Sequence, residues 1–150
     1  MEKQFIQFSP IGTLHTPFDG REKIPRQGRF GANNEGWIEL NPELVEGLTG
    51  LENFSHFYIL FHFHQSEGYR LMQTTPRHHL HLGVFAIRSP RRPNKIGMTI
   101  VRLKKIDGNR IYFSGADMID GTPVLDIKPY TAEIDCYRDA TNGWLDENRS

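Results

Sequence analysis

Residues 88–95 (RSPRRPNK) place four cations in eight positions and punctuate them with Pro90 and Pro93. Proline fixes φ and cannot donate to a strand ladder, so this stretch predicts a stiff loop. Its guanidinium groups carry forked N–H donors that match phosphate or carboxylate. A second segment, Asp120-Gly121-Thr122-Pro123, predicts a tight turn whose glycine takes positive φ and leaves backbone groups open to a ligand, beside a carboxylate suited to a cationic one. A third, Ile24-Pro25-Arg26-Gln27-Gly28, is another polar, proline-marked loop. Taken singly, the second and third are an ordinary hairpin turn and a surface loop, whereas the stiffness of the basic segment favours an anion-binding role over a solvated turn.

Other chemistry is poorly supported. His62 and His64 alternate on one strand face, and His78, His79 and His81 cluster, but no Asp, Glu or Cys companion stands at ligand spacing. They are read as ordinary hydrogen-bonding histidines, and no metal is expected. Cys136, the single cysteine, has no identifiable activating neighbour. Neither GxGxxG nor a phosphate loop is present, so nucleotide binding would need another geometry.

The elements that must position these loops read mainly as strands. Residues 4–8 and 11–15 predict an opening strand broken near Pro10, and Trp37, Ile38 and Leu40 a second. Asn41-Pro42-Glu43 starts a short helix, with Asn as cap and Pro in the first turn, ending by Gly47 or Gly50. Residues 56–64 (HFYILFHFH) form a strand with Phe57, Ile59, Phe61 and Phe63 on one face and Tyr58, Leu60, His62 and His64 on the other. Further strands are expected at 84–88, 98–106, 110–114 and 124–127, with Asp107-Gly108-Asn109 as a hairpin turn. The basic loop would then lie between two strands. The whole predicts one mostly β domain over residues 1–150, a small compact β-barrel or a strongly bent sheet with one short helix, and a surface tail at 137–150.

At 37% hydrophobic residues, the chain has enough apolar material for one core. No apolar run approaches the ~20 residues of a membrane helix. The start of the chain lacks a secretory apolar region, and a lone cysteine suits a reducing compartment, so a cytoplasmic location without membrane contact is expected. Net charge is zero, but residues 1–69 carry −4, residues 70–110 carry +9 and residues 111–150 carry −5. A block this basic either faces an anionic partner or is neutralised by acidic segments interleaved with it in space.

Taken together, GVFAIRSPRRPNKIG at 83–97, DGTPVLDIKPY at 120–130, IPRQG at 24–28, IGTLHTPF at 11–18 and LENFSHFYILFHFHQ at 51–65 resemble, in order and spacing, the TsaA-like family. The resemblance implies an S-adenosylmethionine-dependent tRNA methyltransferase acting on N6 of threonylcarbamoyladenosine beside the anticodon. It also implies a small single-domain β-barrel with its core at about 10–136 rather than the Rossmann-like methyltransferase fold, and a homodimer with the cofactor site near the subunit boundary. Carried over motif by motif, the cofactor would meet Pro25, Arg26, Gln27, His64, Gln65, Arg88, Asp120, Gly121, Thr122 and Pro123. Asp120 would face the ammonium or sulfonium and Arg88 the carboxylate. Arg77, Arg91, Arg92 and Lys95 remain as tRNA-facing cations. Lys95 departs from the proline usual in the family, and some longer members carry a further C-terminal domain after the region matching this chain.

Methyl transfer from a sulfonium is an in-line displacement that needs alignment more than covalent help, and no general base can be named from the sequence. One alternative is a non-catalytic S-adenosylmethionine- or RNA-binding module, because small barrels often bind without reacting, and another is a methyltransferase acting on a different RNA or a small molecule.

Overall fold

Alternation of apolar and polar residues puts every second side chain of a strand on one face, and closing the sheet turns that face into an interior. The computed structural model describes residues 2–20 and 33–149. Within them, β1 (Gly12–His15), β2 (Glu35–Leu40), β3 (His56–His62), β6 (Ile96–Asp107), β7 (Arg110–Ser114) and β8 (Pro123–Pro129) close a barrel in the order β1-β2-β7-β6-β3-β8. Neighbouring strands are antiparallel throughout. A separate two-stranded sheet joins β4 (Met72–Thr74) to β5 (His81–Gly83). Two four-residue helices follow, α1 (Ala132–Asp135) and α2 (Trp144–Glu147).

The interior is filled by side chains. Leu14, Ile38, Phe57, Ile59, Val101, Ile111, Phe113 and Val124 are at most 1% exposed, and Phe57 meets Phe113 edge to face at 6.2 Å. On β3 the expected division of faces holds: Phe57, Ile59 and Phe61 point inward, while Tyr58, Leu60 and His62 point out. Closure is uneven. β3 and β6 share seven residue pairs, whereas β1 and β8 meet at only two, Gly12↔Val124 and Thr13↔Pro123.

Two irregularities shape the wall. The β3–β8 register shifts between Leu60 and Phe61, leaving Leu125 unpaired. The β6–β7 register shifts between Leu103 and Lys105. The second is a bulge that adds one residue to β6, so Lys104 and Lys105 are both exposed, while Leu103 and Ile106 both pack against the core.

The mostly β barrel agrees with the sequence expectation, but several elements differ. Residues 4–8 form no strand: Phe5 is 92% and Ile6 79% exposed, because the partners of β1 end at Gly12 and Pro10 has no N–H to donate. The expected helix is a 3-10 helix at Pro42–Leu48, and Asn41 makes no side-chain cap, its amide donating instead to the Pro10 carbonyl at 3.2 Å. Residues 84–88 are not a strand. Val84–Ala86 form a 3-10 turn, with Val84 buried and its N–H on the Leu71 carbonyl. The basic loop therefore runs from a 3-10 turn into β6, not between two strands.

Candidate functional site

Among the described residues, the segments singled out in the sequence, the basic loop, the Asp120 turn and the ends of β1 and β3, meet at one rim of the barrel. Phe61, near the end of β3, pairs with Gly97 of β6 on one side and Val124 of β8 on the other, and Pro123 pairs with Thr13 of β1. The chain leaving β3, the loop entering β6, the turn entering β8 and the chain leaving β1 thus emerge side by side. Gly97, the last residue of the basic motif, has a packing reason for its type. A Cβ there would lie 2.3 Å from Phe61 Cε2, so only glycine leaves room for the ring.

The Asp120 turn is built around glycine. Thr122 N–H closes on the Ile119 carbonyl at 3.2 Å, with Gly121 at φ +84°, the conformation a type II turn needs at its third residue. Asp120 Oδ1 accepts the Thr16 N–H at 3.0 Å and lies 3.8 Å from His15 Nδ1, which fixes the carboxylate against the end of β1. The amides of Asp120 and Gly121 are already used, donating to the carbonyls of Phe18 and Leu14. A ligand over Gly121 would therefore find the carbonyl face, and a Cβ at Gly121 would meet nothing within 4 Å, so that face is open. Thr122 is 3% exposed and its hydroxyl donates to the Ile119 carbonyl at 2.6 Å, so its side chain locks the turn.

Across the rim, Phe63 N–H donates to the Lys95 carbonyl at 2.9 Å and Ser66 Oγ to the Pro90 carbonyl at 3.1 Å, which ties residues 63–68 to the basic loop. His64 and Gln65 are exposed on this segment. Gln65 Oε1 would lie 3.5 Å from a Cβ on Gly20, a glycine also adjacent to Ile119, which brings Gln65 beside the Asp120 turn. Arg88 is exposed at the head of the basic loop.

The other cations of the loop divide into two kinds. Arg92 Nη1 donates to the carbonyls of Ile87 at 3.1 Å and Ser89 at 3.2 Å, and Lys95 Nζ to those of Gly68 and Arg92. These two side chains brace the loop from within. Arg91 is exposed, and its carbonyl accepts Gln73 Nε2 at 2.6 Å, which hangs the β4–β5 sheet on the loop. Arg77 is exposed in the turn between β4 and β5. Pro25, Arg26 and Gln27 lie outside the described residues. No group of three His, Cys, Asp or Glu suited to a metal ion forms among the described residues.

Sequence reasoning missed a second feature that adjoins this rim. Trp37 stacks on His15 at 4.0 Å and on Tyr112 at 6.1 Å, in cross-strand pairs on the outside of β1, β2 and β7. Arg110 lies 4.5 Å from the centre of the Trp37 ring, and Lys105 Nζ 4.9 Å from that of Tyr112. The available signal was the inward set Val101, Leu103, Ile106, which slips by one residue at Lys104-Lys105. The tail is also better anchored than expected: the Trp144 indole donates to the Ala86 carbonyl at 2.8 Å, just before the basic loop.

Comparison with known proteins bears on all of this. A Pyrococcus abyssi protein named a probable S-adenosyl-L-methionine-binding protein is 41% identical over 143 residues, 95% of this chain and 78% of that protein. The human tRNA (adenine(37)-N6)-methyltransferase is 40% identical over 148 residues, 93% of this chain but 33% of the human protein. A crystal structure of TrmO from Pseudomonas aeruginosa superposes with a TM-score of 0.82 at 42% identity, covering 95% of this chain and 64% of that one. The chain thus spans most of the archaeal relative, under two thirds of the bacterial structure and a third of the human enzyme. Residues 13–136 match the family described as the tRNA-methyltransferase O N-terminal domain, and the chain belongs to that family.

Proposed function

We propose that this chain binds S-adenosylmethionine at the rim and directs its methyl group to N6 of a tRNA adenosine beside the anticodon, in the cytoplasm, with the threonylcarbamoylated base as acceptor. The observation that carries this is the convergence of the Asp120-Gly121 turn, Gln65 and the loop headed by Arg88 at one end of the barrel. The relatives' names support both the cofactor and the tRNA substrate.

The residues present suit the cofactor. The Asp120 side chain is 51% exposed and held by the Thr16 N–H, so it can meet a cation without reorganising. Arg88 would receive the cofactor's carboxylate, and the carbonyl over Gly121 would accept from the adenine amino group. His64 and Gln65 would close one side, with Thr122 and Pro123 setting the turn, and Pro25, Arg26 and Gln27 are proposed as further contacts on the family resemblance alone. When bound, S-adenosylmethionine supplies an electrophilic methyl on a sulfonium. The chain's part is alignment and exclusion of water, and no residue is assigned as a general base. Arg91 of the basic loop and Arg77 of the turn between β4 and β5 are the cations proposed to meet tRNA phosphates. Arg92 and Lys95 are proposed to act indirectly, by stiffening the loop.

A homodimer is proposed as the working unit. Cross-strand pairing puts His62 beside Ile96, Leu60 beside Met98 and Tyr58 beside Ile100 on the outside of β3 and β6, and those three β6 residues are 42%, 43% and 39% exposed. A contiguous apolar sheet face of this kind supports association between subunits.

The test is incubation with methyl-labelled cofactor and either threonylcarbamoylated or unmodified tRNA, followed by nucleoside mass spectrometry. Label in the N6-methylated, threonylcarbamoylated nucleoside is expected. Label in neither tRNA would leave a binding module, and label only in unmodified tRNA would give a different target.

A further inference from the structure

We infer that the groove outside β1, β2, β7 and β6 is a binding site for a single-stranded RNA segment, the loop nucleotides flanking the target adenosine. The inference rests on the tRNA reading above and adds a surface that neither the basic loop nor the cofactor turn includes. The groove encloses about 550 Å³, room for about one nucleotide, and is lined by Thr16, Glu35, Trp37, Lys104, Lys105 and Tyr112.

Three observations point to RNA. First, its aromatic residues stand in a row across three strands, His15, Trp37 and Tyr112, offering π surfaces that accept any base. Second, the bulge in β6 spends an extra residue to expose both Lys104 and Lys105, where strict alternation would send one inward. Bulges at such places re-aim side chains, and here the effect is two adjacent ammonium groups at one wall of the groove. Third, Arg110 of β7 lies 4.5 Å from the centre of the Trp37 ring, which adds a third cation beside Lys104 and Lys105 at this side of the groove. Glu35 lines the groove, while Glu39 is engaged by His15 Nε2 at 3.2 Å.

Position adds to the argument. His15 joins the two sites: its Nε2 and ring face belong to the groove side, and its Nδ1 lies 3.8 Å from Asp120 Oδ1. A strand of RNA lying along Trp37 and Tyr112 would pass directly to the Asp120 turn. Arg110 and Lys105 now rest on the rings and are placed to exchange that contact for phosphate when a base stacks. The apolar face of β3 and β6 offers a protein partner a better surface, having three exposed aliphatic side chains and none of these cations on its strand segment.

The test uses the full chain and a fluorescently labelled anticodon stem-loop RNA, read by anisotropy between about 50 and 200 mM salt. Lys104→Glu with Lys105→Glu is expected to weaken binding by about tenfold or more and to lower the log–log salt slope by about two. Trp37→Leu is expected to weaken binding about fivefold or more with little change in slope. Because Trp37→Leu also removes packing, the exposed lysine pair is the deciding variant, with circular dichroism and calorimetric cofactor binding unchanged from the parent. Parent-like affinity and slope in the lysine variant overturn the inference alone. A changed subunit stoichiometry with unchanged RNA affinity also overturns it and makes the groove a protein interface. A parent chain that binds no RNA overturns both this inference and the tRNA reading.

Discussion

Gly97→Ala tests whether the rim is shaped by packing. The added Cβ would sit 2.3, 2.4 and 2.9 Å from three carbons of the Phe61 ring, against an ordinary carbon contact of about 3.5 to 4.0 Å. The ring has little freedom to yield, since Phe61 is 5% exposed and meets Phe63 edge to face at 5.1 Å. Overpacking of this kind costs about 1–3 kcal/mol, offset by about 0.5 kcal/mol from replacing a strand glycine. A net loss of about 1.5 kcal/mol is expected, read as a lower urea midpoint at unchanged m and a Tm lower by about 3–6 °C. Phe61→Leu, which removes the clashing atoms, should cost about 1 kcal/mol alone and relieve the alanine in the double variant. The coupling should then reach about 1 kcal/mol in the favourable direction. Additivity within about 0.5 kcal/mol would refute the steric account of this glycine.

Asp120→Ala should weaken S-adenosylmethionine binding by about tenfold or more in calorimetry, because it removes a charge-assisted contact, while parent-like affinity would remove Asp120 from the site. Lys95→Met should leave the salt slope of RNA binding unchanged but speed amide exchange across residues 63–68, since its ammonium braces the Gly68 and Arg92 carbonyls. A reduced slope would make it a phosphate contact instead. Asp146 is held at about 2, below its usual 3.8, first by the Asn142 backbone N–H and then by the Arg149 and Asn142 side chains. Its folded value is depressed, so its contribution is present above about pH 4 and lost as pH falls toward 2. Fluorescence of Trp144 in a Trp37→Phe variant should report release of the tail across that window. Asp146→Asn should flatten the response.

What the sequence revealed was governed by strict period-two alternation. β3 and β7 alternate cleanly and end in recognisable turns, and Gly108 takes φ +59° in the turn after β6 as its Asp-Gly-Asn context predicts. Residues 84–88 look equally strand-like, but Val84 is held by the Leu71 carbonyl, a tertiary contact that local sequence does not encode. β4 and β5 are three residues each, too short to show a period. In the site, the Asp120-Gly121 turn and the stiff basic loop were legible because proline and glycine dictate backbone shape locally. The inward use of Arg92 and Lys95 was not, because a cation's partners are backbone carbonyls brought up by folding. The His15–Trp37–Tyr112 row depends on three strands far apart in sequence and on their mutual register.

The two-pair seam between β1 and β8 has a thermodynamic consequence. It is the shortest ladder in the barrel, and the turn proposed to hold the cofactor is tied to β1 across it: Thr16 N–H reaches Asp120, and Leu14 N–H reaches the Thr122 carbonyl at 2.8 Å. The cheapest opening of the closed sheet is therefore expected here, below the free energy of global unfolding. A ligand seated on Asp120 and Gly121 needs the turn in the shape that its bonds to Thr16 and Leu14 of the opposite side impose, so it acts as a latch on the cylinder itself. At a hundredfold excess over Kd, linkage gives about 2.7 kcal/mol of added stability. Protection from exchange should rise first at Leu14 and Thr122, making the seam the place where occupancy is converted into rigidity of the whole wall.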